Sequence, residues 1–197
     1  ADKNNGANLK NISYPSVLLR YGMLSNLELR LEVENTKSDL ETSGQTTSVN
    51  GIKPINLGLK VNVCEEDGLR PATGIIINLL LPNLASKELK SNNLGSSINF
   101  AFENSLTDKL SLGYNLGSSW DGNTTEASVF YSMSLGYSIC KCVSAFIEGY
   151  GFMPENTSSD HRFDFGVSLF PANNFSLDAS AGFGITSNAP DYFINGG

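Results

Sequence analysis

Polar and apolar residues alternate one for one over most of this chain. Residues 109–116 read Lys-Leu-Ser-Leu-Gly-Tyr-Asn-Leu, and 174–185 read Asn-Phe-Ser-Leu-Asp-Ala-Ser-Ala-Gly-Phe-Gly-Ile. A period of two puts every second side chain on the same face of a strand. The polar face holds Ser, Gly, Asn and scattered charges, not the dense charge of a water-facing sheet. That combination predicts a closed sheet, apolar outside and polar within, which is how a β-barrel crosses a membrane.

Strands are predicted at roughly 12–23, 27–34, 52–64, 69–81, 96–106, 110–119, 127–139, 143–153, 162–170 and 175–186, with an eleventh opening near Tyr192. The connections fall into two alternating classes. Short ones lie at 24–26, 65–68, 107–109, 140–142 and 172–174. Longer polar ones lie at 35–51, 82–95, 120–126 and 154–161, with a brief one at 187–191. Short periplasmic turns and longer outer loops are the layout of outer-membrane barrels. In this layout the first strand descends from the long-loop side, so residues 1–11 read as the tail of an outer loop. Even strand numbers are the rule for such barrels. The expectation is an all-β, transmembrane antiparallel up-and-down β-barrel of 12 strands in the full protein. About 11 fall in this chain as one domain over residues 1–197, with an N-terminal strand and the end of the C-terminal strand lying beyond it.

Parity separates the two faces. Val17, Leu19 and Tyr21, then Leu27, Leu29, Leu31 and Val33, share one side, as do Leu57, Leu59, Phe100, Phe102, Leu112, Leu116, Phe163, Phe165 and Val167. The opposite parity carries Arg20, Glu28, Arg30, Glu32, Lys60, Glu103, Glu148, Arg162, Asp164 and Asp178. These ten are the candidate lumen-lining residues. Tyr14, Tyr21, Trp120, Tyr137, Phe170 and Tyr192 stand near strand ends, where aromatic girdles mark the membrane interfaces.

Composition alters the picture only slightly. The 197 residues are 40% hydrophobic with a net charge of -7, and the mean hydropathy of -0.12 looks like that of a water-soluble protein. Lumen residues dilute the apolar ones in any barrel, so this value does not count against one. No run approaches the ~20 apolar residues of a spanning helix, which excludes an α-helical membrane protein. The acidic balance argues against nucleic acid as a partner. The expected partners are the outer-membrane bilayer with its lipopolysaccharide, a small-molecule solute and other outer-membrane proteins. The chain opens Ala1-Asp2-Lys3 without a basic or apolar leader, so any signal peptide has been removed or left out.

The ten inward charges, four basic and six acidic, admit two readings. In one they pair among themselves and narrow or plug the bore. In the other they line a conduit that favours cations or neutral polar solutes. Cys140-Lys141-Cys142 and Cys64 make no four-ligand metal site, and they are expected to pack as small apolar residues. Ser159, Asp160 and His161 are adjacent in sequence, a poor arrangement for a catalytic relay on alternating faces. His161 is expected to cap the strand that follows it. No cofactor is implied.

Several segments carry a family likeness. They are Tyr14-Pro15-Ser16-Val17-Leu18-Leu19-Arg20-Tyr21-Gly22, Leu112-Gly113-Tyr114-Asn115-Leu116-Gly117 with Trp120-Asp121-Gly122, Asp160-His161-Arg162-Phe163-Asp164, and Asn188-Ala189-Pro190-Asp191-Tyr192-Phe193. Over essentially its whole length the chain resembles the outer-membrane transporter family of the MetA pathway of phenol degradation. The resemblance implies a Gram-negative outer-membrane barrel that passes small compounds, hydrophobic or aromatic ones among them, without catalysis. The resemblance also implies an N-terminal strand and a C-terminal strand ending in an aromatic residue, which agrees with a first strand and the end of the last one expected beyond this chain. The alternative function is an occluded barrel serving as an accessory subunit of an outer-membrane complex.

Overall fold

The computed structural model describes residues 2–4, 7–42, 45–172 and 175–197. It is one antiparallel meander. The strands are β1 (Asp2–Asn4), β2 (Ala7–Leu24), β3 (Leu27–Thr42), β4 (Gln45–Ile52), β5 (Ile55–Cys64), β6 (Ala72–Leu81) and β7 (Gly95–Ser105). They continue as β8 (Leu110–Trp120), β9 (Ser128–Cys140), β10 (Val143–Pro154), β11 (Asp160–Ala172), β12 (Phe175–Gly184) and β13 (Phe193–Gly196). Each pairs with its sequence neighbour except at β4, which folds back on β3 so that β5 takes the next place in the sheet. No helix is long and apolar enough to cross a membrane.

Two segments go beyond the expected eleven. Residues 35–51, expected as a loop, instead continue β3 to Thr42 and return as β4, in register from Asn35↔Ile52 to Thr42↔Gln45. Part of 1–11, expected as a loop tail, is strand in β1 and the start of β2. The sequence of this region is mostly polar at both parities, with Leu9, Leu40 and Val49 too sparse to set up a hydrophobic alternation. Backbone pairing holds it instead, helped by an ion pair from Lys37 to Asp39 at 3.0 Å and a Ser48 hydroxyl that donates to Asp39. Of the expected short turn at 172–174, Asn173 and Asn174 lie outside the described residues.

The register joins the apolar positions into continuous rows. One runs Tyr21–Leu29–Leu59–Ile77–Ile98, and another Leu112–Leu135–Ile147–Phe165–Ala181. Leu19, Tyr21, Leu116, Met133 and Phe165 on this face are each more than half exposed. No described side chain is fully buried, and Ala189 alone among the described hydrophobics counts as core. The accessible surface is 12728 Å², against roughly 9,000 Å² for a compact monomer of this mass. Strands β5 to β12 run 10 to 13 residues, enough to cross a bilayer at the usual tilt.

The sheet curls toward its polar side. Leu18 of β2 and Phe130 of β9 line the same cavity, although they are six strand positions apart, about 29 Å along a flat sheet. Tyr150 of β10 and Phe193 of β13 likewise bring their ring centroids to 6.2 Å. Exposed aromatics gather at the strand ends, with Tyr21, Tyr137 and Phe170 toward the short turns and Trp120 and Tyr192 toward the long loops. The side chain of Tyr14 lies outside the described set.

Candidate solute path

By register, all ten charged residues singled out in the sequence stand on the face opposite the apolar rows. They do not form one cluster. Arg20, Glu28 and Arg30 come together because β2 and β3 run side by side. Arg20 Nε and Nη2 grip the Glu28 carboxylate at 2.9–3.0 Å, a two-pronged pair, and Arg30 Nη1 adds a longer bond of 3.4 Å. Such forked guanidinium–carboxylate contacts fix geometry as well as charge. Glu32 accepts a bond of 3.1 Å from Asn56 Nδ2. Lys60 and Glu103 line a second cavity of about 320 Å³ toward the short-turn end. Asp178 stands apart, beside the backbone of Gly197.

Between these charges runs a band of amides and hydroxyls that the sequence reading did not single out. Asn78 donates to Ser97 at 3.0 Å, Asn99 to Asn115 at 3.4 Å and Asn115 to Ser132 at 2.9 Å. Their signal was present, since Asn56, Asn78, Asn99 and Asn115 share the parity of the charges. The same face also carries apolar residues that break the simple rule. Leu18, Ile76 and Phe130 join Arg30, Glu32 and three asparagines around a cavity of about 160 Å³.

Arg162 has a partner outside the ten. Its guanidinium donates to both carboxylate oxygens of Asp160, from Nε at 2.8 Å and from Nη2, and lies over the rings of Tyr150 and Phe152 at 5.9 and 5.7 Å. Tyr150 in turn packs edge-on against Phe152 and Phe193. Glu148 and Asp164 face each other across β10 and β11.

No relay forms at residues 159–161. Asp160 is held by Arg162, and His161 turns to the other face, with Nδ1 3.1 Å from the Tyr131 hydroxyl. His161 lies within β11, its backbone N–H donating to Thr186 Oγ1, so it does not simply cap the strand. The turn cysteines do not pack as apolar residues. Cys140 and Cys142 are exposed, with sulfurs 2.9 Å apart, because their turn projects into water. Cys64 is half-buried, with its sulfur 3.7 Å from the Pro71 carbonyl. Among the described residues no group of three or more metal-ligating side chains converges.

A family model described as "Putative MetA-pathway of phenol degradation" matches residues 7–197. The chain belongs to that family. The structure is also similar to the crystal structure of an outer-membrane channel from Pseudomonas putida F1, with a TM-score of 0.63 and 13% identity over 95% of this chain and 80% of that one. No curated protein matches it. The curled meander, its outward apolar rows and its strand lengths are thus those of the outer-membrane β-barrel fold.

Proposed function

We propose that this family member is a channel for small molecules, and that its ten interior charges with the asparagine band line the path. One observation carries the reading. The face opposite the apolar rows carries the charges and the asparagine band, interrupted by Leu18, Ile76 and Phe130, and encloses cavities of about 160 and 320 Å³ instead of a packed core. Small barrels that serve only as scaffolds fill that space with side chains. The mixture of Leu18, Ile76 and Phe130 with amides and ion pairs in the first cavity suits solutes with an apolar body and a polar edge. The family description, which concerns phenol degradation, supports aromatic compounds as the solute class. The barrel acts without catalysis in this reading, its Asp160 and His161 being engaged with Arg162 and Tyr131.

Conductance of the purified protein in planar bilayers tests the proposal, together with swelling of liposomes in phenol-type solutes and in sugars of similar size. Stepwise current with faster entry of the aromatic solutes is the expected result. A tight seal at every voltage, with no swelling, sinks it. The second reading, an occluded accessory barrel, draws on the self-satisfied Arg20–Glu28–Arg30 group and predicts that seal, together with co-purification of a protein partner.

A further inference from the structure

Arg20, Glu28, Arg30, Glu32 and Arg162 each have a partner of opposite sign or an amide, whereas two interior carboxylates face each other with only hydroxyls beside them, Ser132 at Glu148 and Ser180 at Asp164. Glu148 of β10 and Asp164 of β11 are direct cross-strand partners, a placement that brings side chains within about 5 Å of each other at Cβ. Like charges in that position repel. Asp164 is only 5% exposed, and its Oδ1 has no hydrogen-bond partner. The next residues along the two ladders, Ser134 opposite Glu148 and Gly182 opposite Asp164, are neutral. The nearest cation, Arg162, is spent on Asp160 and on the rings of Tyr150 and Phe152. Arg20 and Arg30 are bound to Glu28 on the far side of the sheet order.

We propose that Glu148 and Asp164 form a cation-binding carboxylate pair that makes the bore cation-selective, which rests on the channel reading above. Two carboxylates side by side in a confined space, with serine hydroxyls but no cation beside them, are costly unless a positive charge joins them. Here the protein supplies none, so ions from solution do. Two carboxyl groups are too few to build a closed cage for a divalent ion. They suit instead a monovalent cation that stops briefly and moves on, as rings of acidic side chains do in cation pores. The aromatic cluster of Tyr150, Phe152 and Phe193 adjoins the pair and extends the same property to organic ammonium ions.

Two measurements on the whole chain test this. In bilayers with asymmetric KCl, the wild type is expected to prefer potassium over chloride, and Glu148→Gln with Asp164→Asn is expected to lower that preference by about threefold or more while current persists. An unchanged ratio in the double variant, or a wild type that prefers chloride, overturns the proposal. In detergent, terbium emission sensitised by nearby Tyr150 reads the site without any current. It is expected to fall in the double variant and to be competed by potassium; equal emission from both proteins overturns the site. A wild type that seals the bilayer yet shows the variant-sensitive emission removes the channel and leaves the cation site.

Discussion

Gly117 is the position where a single methyl group is expected to matter most on the interior face. A Cβ there would meet the Phe130 ring and the carbonyl of Ile98 at once. Gly117→Ala is expected to cost about 1–3 kcal/mol, the usual range for forcing atoms into filled space, read as a lower midpoint of urea unfolding in vesicles. On the opposite face Ile77, 48% exposed and mid-strand, sits where lipid is driest. Ile77→Arg is expected to cost about 2–4 kcal/mol in the same assay, because a charge at the midplane has no counter-ion. In the loop after β8, the N–H groups of Asn123 and then Thr124 donate to Asp121 at 2.7 and 3.1 Å, and these bonds hold its carboxyl below the usual range. A depressed acid stabilises the fold above its ordinary value near 3.9, and the contribution fades as pH falls through the lower folded value. Asp121→Ala is therefore expected to flatten the acid limb of stability, with no effect once the pH lies below the lowered folded value. Which face each of the ten charges takes was legible at this scale, since parity alone assigns it. Their partners were not, because Asp160 and Asn56 meet Arg162 and Glu32 through rotamers and register that no local pattern encodes.

At the scale of elements, alternation predicted β5 to β12 to within a few residues, because each has a lipid side and a polar side. It was blind to β4 and to the outer part of β3, where neither side meets lipid. The base of that hairpin is fastened by residue 86. The Ile52 N–H donates to Ser86 Oγ at 2.9 Å, and the Ser86 N–H donates to the Ile52 carbonyl at 2.9 Å. Ser86→Ala removes the first bond, worth about 1 kcal/mol. Amide exchange at Ile52 is expected to quicken roughly fivefold, with exchange in β8 and β9 unchanged. Equal protection at Ile52 would show that the ladder to β3 alone holds the hairpin.

For the whole molecule, the alternation of short turns and long loops assigns an inside and an outside. In a background with Cys64, Cys140 and Cys142 replaced by Ser, Thr125→Cys in a long loop is expected to react with a bulky, membrane-impermeant maleimide on intact cells. Lys109→Cys in a short turn is expected to react only after the outer membrane is breached. The reverse pattern would invert the barrel. The bore's content was the least legible property. Leu18, Ile76 and Phe130 reach one cavity only after the sheet has curled, and curvature leaves no mark in a two-residue repeat.

The near-absence of a buried apolar core has a further consequence, felt before the barrel exists. Water-soluble proteins hide their apolar residues in themselves; this one hides them in lipid it has not yet reached. While the chain is still in water, every one of its greasy faces is a site for sticking to another copy. The yield of folded protein is therefore expected to depend as much on keeping such segments apart until they reach lipid as on the stability of the finished barrel.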